Sequence, residues 1–206
     1  MFKIAVLVSG GGTDLQSIID AVNSGYISNC SIEAVISDRD GIYAISRARE
    51  NDIDTYVFDR KVYNGNISSH ILDVLDGRVD LIVCAGWLSI LEGELISKFE
   101  NKIINIHPSL IPSFCGQGMY GIKVHERAIE YGVKVSGCTV HFVDSGTDSG
   151  PIIKQVVVPV YFDDTAETLQ GRILEQEHKV LPEVIKLISL GKVKISGRRV
   201  KILEDI

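Results

Sequence analysis

Residues 2–8 are a nearly unbroken apolar run, Phe2-Lys3-Ile4-Ala5-Val6-Leu7-Val8. A run of that length without alternation predicts a strand buried on both faces, as in a parallel sheet. Past a glycine-rich turn, Leu15, Ile18, Ile19 and Val22 recur at the spacing of one helix face. The pattern then repeats. Strands are expected at 32–36, 54–57 and 81–85 and in the β-branched run that ends at His107, with helices at 41–50, 67–76 and 92–98 between them. Strands alternating with helices make βαβ units, so this half of the chain predicts a mostly parallel sheet with right-handed crossovers.

The second half reads differently. Residues 122–131 have a helical pattern, and two strands follow at 133–143 and 152–158 with only a turn-rich loop between them. So short a connection makes the pair antiparallel and puts Asp144-Ser145-Gly146-Thr147-Asp148-Ser149-Gly150-Pro151 at its tip. A long helix is expected over 165–189. Thr165 and Thr168 mark its start, Leu169, Ile173, Leu174, Val180, Leu181, Val184, Ile185 and Ile188 form its apolar face, and Pro182 is a candidate kink. Residues 193–195 and 200–202 flank a turn and suggest a terminal hairpin. No linker, repeat or low-complexity stretch interrupts the chain, so the expectation is one domain over 1–206. Its class is α/β, a Rossmann-like three-layer arrangement with a mostly parallel central sheet and antiparallel strands toward the C-terminal half.

Composition narrows the options. The chain has 206 residues, of which 45% are hydrophobic and 23% charged, as in an ordinary soluble globular protein. Its net charge of −6 argues against nucleic acid as a partner. The N-terminal apolar run is too short for a signal peptide and no run is long enough to span a bilayer, so the expected location is cytoplasmic, with no membrane partner. Cys30, Cys84, Cys115 and Cys138 are widely spaced and are expected to be free thiols. No ligand cluster for a metal is evident.

In an open α/β sheet, ligands bind beyond the carboxyl ends of the strands. Three stretches with chemistry fall at such ends. The first is Ser9-Gly10-Gly11-Gly12-Thr13-Asp14, between a strand and a helix. Glycines let backbone N–H groups approach an anion and a helix N-terminus adds positive potential, although a tight turn before a capped helix would look the same. The second is Gly86-Trp87-Leu88-Ser89. The third is Asn105-Ile106-His107-Pro108, where residues two apart share a strand face and Pro108 stops the strand. The glycine-rich stretch 113–121 reads either as a mobile cover or as a connector. His141 fits a core histidine, and Asp148 alone fits a turn.

In order along the chain, Ser9-Gly10-Gly11-Gly12-Thr13, Ala85-Gly86-Trp87-Leu88, Asn105-Ile106-His107-Pro108-Ser109-Leu110-Ile111-Pro112, Thr139-Val140-His141-Phe142-Val143, Asp148-Ser149-Gly150-Pro151 and Gln176-Glu177-His178 resemble the phosphoribosylglycinamide formyltransferase family of folate-dependent enzymes. The resemblance covers about residues 2–190. It implies 10-formyltetrahydrofolate as co-substrate and glycinamide ribonucleotide as acceptor. It implies that Asn105, His107 and Asp148 are catalytic, that Gly12, Thr13 and Asp14 hold the acceptor's phosphate, and that Glu177 contacts its ribose. Leu88, Ser89, Ile90 and Leu91 match the segment lining the folate pocket, with Asp144 in the loop opposite. Asp14 stands where the family often has Asn. A carboxylate beside a phosphate is unfavourable, so Asp14 is expected to offer only its backbone or to cap the helix. Ser89 stands where many members carry an arginine, and the 113–121 loop is longer than in many relatives. No residue of the 60–66 region is assigned as the counterpart of the family's folate-tail arginine.

Formyl transfer to an amine builds negative charge on the formyl oxygen, which needs preorganised donors. An Asn105 amide and a protonated His107 would supply them, with Asp148 expected to raise the histidine's pKa and relay the amine's proton through a water. The same three residues acting with water would make a formyltetrahydrofolate hydrolase, and those enzymes carry a further N-terminal regulatory module. A binding module without catalysis is the remaining alternative.

Overall fold

The structure, a computed structural model, describes residues 1–63 and 65–203. Positions 64 and 204–206, which belong to the single domain expected over 1–206 and, for position 64, to the 60–66 segment, lie outside the described residues. The parallel part of the sheet comes from the first half of the chain: β1 (Phe2–Val8), β2 (Cys30–Ser37), β3 (Thr55–Val57), β4 (Leu81–Cys84) and β5 (Ile103–His107). The helices α1 (Thr13–Asn23), α2 (Tyr43–Glu50), α3 (Ile67–Leu75) and α4 (Glu94–Lys98) make the crossovers. After α5 (Ile122–Tyr131), strand β6 (Val135–Phe142) runs antiparallel to β5 and to the next strand, β7 (Ile152–Pro159). The helix α6 (Ala166–Ser189) and the hairpin β8 (Val193–Ser196) and β9 (Arg199–Ile202) complete the described chain. Strand order is β3-β2-β1-β4-β5-β6-β7-β9-β8.

Alternation along the central strands divides the core in two. Ile4, Val6 and Val8 of β1 pack with Leu15 and Ile18 of α1, Ala44 of α2, Ala128 of α5 and Ile173 of α6. Ala5 and Leu7 face the other way, onto Ile71 and Leu75 of α3 and Leu95 of α4. The sheet is therefore sandwiched between two helical layers, and β1 is fully buried on both faces from Ile4 to Val8, as its apolar run requires. Each such Ile or Leu contributes roughly 1.5–3 kcal/mol by leaving water.

Two local signals set the elements that carry the site. Thr165 caps α6: its hydroxyl accepts from the Thr168 backbone N–H, while the Thr168 hydroxyl accepts from the Thr165 N–H. The helix continues through the buried Pro182 as one span and brings Glu177 onto the sheet-facing side. At the centre of the sheet the chain order reverses between β1 and β4, the switch point at which such sheets open a crevice. The two strand ends are tied there by the Ser9 N–H, which donates to the Gly86 carbonyl at 3.1 Å.

Candidate active site

A cleft of about 620 Å³ opens over this switch point. Segments 9–14, 84–91, 105–108, 116–121 and 143–148 line it, together with His125, His141 and Glu177. The sequence-expected residues all meet here: Asn105, His107 and Asp148, then Gly12, Thr13, Asp14 and Glu177, then Leu88, Ser89, Ile90, Leu91 and Asp144.

Asn105 and His107 share a face of β5, and the antiparallel pairing with β6 puts His141 directly opposite Asn105. His141 Nδ1 donates to the Phe142 carbonyl at 2.8 Å, so Nε2 is left to accept, and the Asn105 amide nitrogen lies 3.1 Å from it. The amide keeps its second N–H for the cleft. Asp148 comes from the β6–β7 loop, with φ 53°, in the left-handed region that Asp tolerates better than most residues. The loop closes tightly behind it: a Cβ on Gly150 would stand 1.9 Å from the Phe142 carbonyl oxygen. One Asp148 oxygen lies 3.6 Å from His107 Nδ1 and the other 3.7 Å from His141 Nε2. His141 is thus part of the polar cluster. The sequence treated it as a core histidine because only the β5–β6 register places it beside Asn105.

The 113–121 segment reaches into this cluster. His107 Nε2 lies 2.9 Å from the Phe114 carbonyl oxygen, and since a carbonyl only accepts, Nε2 carries a proton. The Gly116 N–H donates to Asp148 Oδ2 at 2.8 Å. The expectation that Asp148 keeps His107 charged is corrected here. Burial pushes the His107 pKa down, and this outweighs the upward pull of the Asp148 carboxylate and the Phe114 carbonyl, so the net direction is below the ordinary value. Burial pushes Asp148 up, but the neighbouring His141 and His107 rings and the Gly116 N–H hold it below the usual carboxylate range.

At the other end of the cleft, the carbonyls of Gly10 and Gly11 are turned toward α2. They accept from the Ala44 N–H at 3.3 Å and from Arg47 Nε at 2.9 Å. In a trans peptide the following N–H points the opposite way, so the N–H groups of Gly11 and Gly12 are directed away from α2. Gly12 stands at the N-cap of α1 with φ 72°. Added Cβ atoms on Gly10 and Gly11 meet nothing within 4 Å.

Of the two expectations for Asp14, the helix cap is not met: α1 has no side-chain cap. Its carboxyl is instead turned inward, where Oδ1 has no hydrogen-bond partner and lies 3.8 Å from His178 Nε2. Burial raises Asp14 to about 6. Burial also raises Glu177 well above its ordinary value, with the neighbouring Asp14 charge adding to it. On the opposite wall, Leu88 and Ile90 present exposed apolar side chains while the Leu88 N–H donates to Ser9 Oγ at 2.9 Å. Asp144 Oδ1 accepts from the Gly146 N–H and the Ser149 hydroxyl, at 3.0 and 2.5 Å, which fixes the loop across the cleft.

Among the described residues, no group of three or more His, Cys, Asp or Glu is placed to hold a metal ion, and no helix is long and apolar enough to cross a membrane. The four cysteines are free.

Residues 2–185 match the formyl transferase family. The chain is 42% identical over 198 residues to the phosphoribosylglycinamide formyltransferase of Haemophilus influenzae, covering 95% of this chain and 91% of that protein. It is 41% identical to the trifunctional purine biosynthetic protein adenosine-3 of Gallus gallus, covering 94% of this chain but only 19% of that longer protein. The crystal structure of glycinamide ribonucleotide transformylase 1 from Symbiobacterium toebii superposes with a TM-score of 0.92 at 43% identity, covering 99% of this chain and 95% of that one.

Proposed function

The chain belongs to the formyl transferase family, and from that premise we propose that it transfers the formyl group of 10-formyltetrahydrofolate to the amine of glycinamide ribonucleotide, in purine biosynthesis. One observation carries the assignment of roles: Asn105, His107 and Asp148 converge at one part of a single cleft that also holds the glycine loop and an apolar wall. Such a cleft seats an anionic acceptor and a flat apolar donor with their reacting atoms between them. The glycine loop takes the phosphate through backbone N–H groups at the start of α1. The buried Glu177 accepts from ribose hydroxyls. Leu88, Ser89, Ile90 and Leu91 face the folate, with Asp144 and its loop on the other side. We take residues 1–206 as one formyltransferase domain with small-molecule partners, working in the cytoplasm, where free thiols persist.

The chemistry follows from the donors. The amine attacks the formyl carbon and charge develops on the formyl oxygen. The second amide N–H of Asn105 and the Nε2–H of His107 stabilise it. The Phe114 carbonyl already shows how an oxygen acceptor sits against Nε2, so transfer requires the formyl oxygen to displace it. Asp148, held as the carboxylate, accepts the proton that the attacking amine loses, through a water. The reduced folate nitrogen leaves with the electron pair of the broken C–N bond and takes up the proton that Asp148 received from the amine, which returns Asp148 to the carboxylate.

The test is direct. Formyl-folate is incubated with the protein, with and without glycinamide ribonucleotide. Release of tetrahydrofolate only with the acceptor supports the transferase. Release without it means hydrolysis, and no release means a binding module; either refutes the proposal.

A further inference from the structure

The apolar wall of the cleft is short, irregular backbone, yet it is pinned at three points by side chains from elsewhere. Ser9 Oγ takes the Leu88 N–H at 2.9 Å, and Ser68 Oγ, on α3, takes the Glu92 N–H at 3.0 Å. Between them, the Ser89 hydroxyl donates to Asp38 Oδ2 at 2.6 Å. Asp38 follows the carboxyl end of β2. It is 0% exposed, and it does not line the cleft. Its backbone carbonyl accepts from the Arg60 N–H at 3.0 Å, which fixes it to the segment after β3. Its other carboxyl oxygen is buried without a hydrogen bond, 3.8 Å from Arg39 Nε.

A carboxyl group held out of water with a single hydrogen-bond partner strongly favours the geometry that keeps that partner. Among the described residues Ser89 is that partner, and it is flanked by two apolar side chains that face the cleft, Leu88 and Ile90. We propose that Asp38 is a positioning residue for the co-substrate: acting through Ser89 from behind the wall, it sets where Leu88 and Ile90 meet the flat face of the donor. This rests on the transferase reading, in which the wall binds the folate. The carboxyl stands outside the cleft, so its effect falls on the donor and not on the acceptor, whose loop is held by α2.

The experiment compares Asp38→Ala, Ser89→Ala, their double variant and Asp38→Asn by steady-state kinetics, varying each substrate in turn. Calorimetry with a non-reacting folate analogue and thermal melts accompany each protein. Losing the bond should raise the donor KM about tenfold in each single variant, the factor expected when a buried polar group loses its partner, with the acceptor KM within about twofold of the parent. The double variant should be no worse than either single one, because both remove the same bond. Asp38→Asn keeps an oxygen acceptor in place and should recover most of the donor affinity. An unchanged donor KM, equal shifts in both KM values, or additive single effects would overturn the proposal. If Asp38→Ala does not fold, Ser89→Ala and Asp38→Asn with their double variant decide it by the same split. A parent protein that binds the analogue but transfers nothing to the acceptor refutes the transferase reading alone, and the analogue affinities then judge the wall.

Discussion

Gly12→Ala isolates what the glycine loop depends on. Gly12 sits at φ 72°, ψ 37°. An alanine held there costs about 1–2 kcal/mol through the contact of its Cβ with the carbonyl oxygen. The new methyl would also meet Ala44 of α2, 2.6 Å from its Cβ and 2.9 Å from its Cα, both far inside van der Waals contact. Neither atom belongs to a flexible side-chain end, so α2 or the loop must shift, at about 1–3 kcal/mol for an overpacked contact. Alanine recovers about 0.4–1 kcal/mol by restricting the unfolded chain. The net expected loss is roughly 1–4.5 kcal/mol, read by urea unfolding. Any shift of the loop also moves the N–H groups of Gly11 and Gly12, so calorimetry should show acceptor affinity falling by at least about tenfold with folate-analogue affinity nearly unchanged. Gly10→Ala and Gly11→Ala are the controls for stability, because their added Cβ atoms meet nothing within 4 Å. A Gly12→Ala protein within about 0.5 kcal/mol of the parent, or equal losses for both ligands, would refute the reasoning. The requirement at this position is thus the left-handed backbone and the approach to α2, more than open room for an anion.

Asp148→Asn should lower kcat by about 10²–10⁴ while leaving acceptor affinity intact, since the glycine loop lies elsewhere in the cleft; because the Asp148 charge pulls the His107 pKa up, that pKa should fall further in the variant, and an unchanged imidazole titration by NMR would disprove the coupling. Asp14, raised to about 6 by burial, is protonated below that value and penalised when ionised above it. Its stabilising protonation is therefore lost as pH rises through about 6, so Asp14→Asn should match the parent near pH 4 but be more stable at pH 8, by on the order of 2 kcal/mol, in denaturant titrations at the two values. The opposite sign applies to His125, which burial and the nearby charge of His107 lower to about 4. Its contribution is complete above about 6.5 and is lost as pH falls through about 4, so His125→Gln should flatten the acid limb of the stability profile, and an unaltered limb would count against a buried neutral ring.

Much of this protein was legible in the chain itself, because its strongest signals are local. Continuous apolar runs such as Phe2–Val8 specify strands covered on both faces, and their alternation with helical periods specifies a parallel α/β sheet. The Thr165 and Thr168 pair marked the start of α6 because a capping box is made by residues three apart. Asn105 and His107 were bound to point the same way, since a strand repeats every two residues. What the sequence could not decide were contacts between residues far apart in the chain. His141 joins Asn105 and Asp148 only through the pairing of β5 with β6. Asp14 reads as a cap by position, yet α6 packs over α1 and offers its carboxyl a buried neighbourhood with His178 and Glu177 instead. The sign of the His107 shift needed the competition between a nearby carboxylate and burial, and burial exists only once the sheet, α5 and the 113–121 segment have closed around the ring. Asp38 gave no signal at all, because its side-chain bond to Ser89 spans the switch point of the sheet. Local periodicity fixes which elements form; charge, protonation and positioning at the site depend on which distant elements those are packed against.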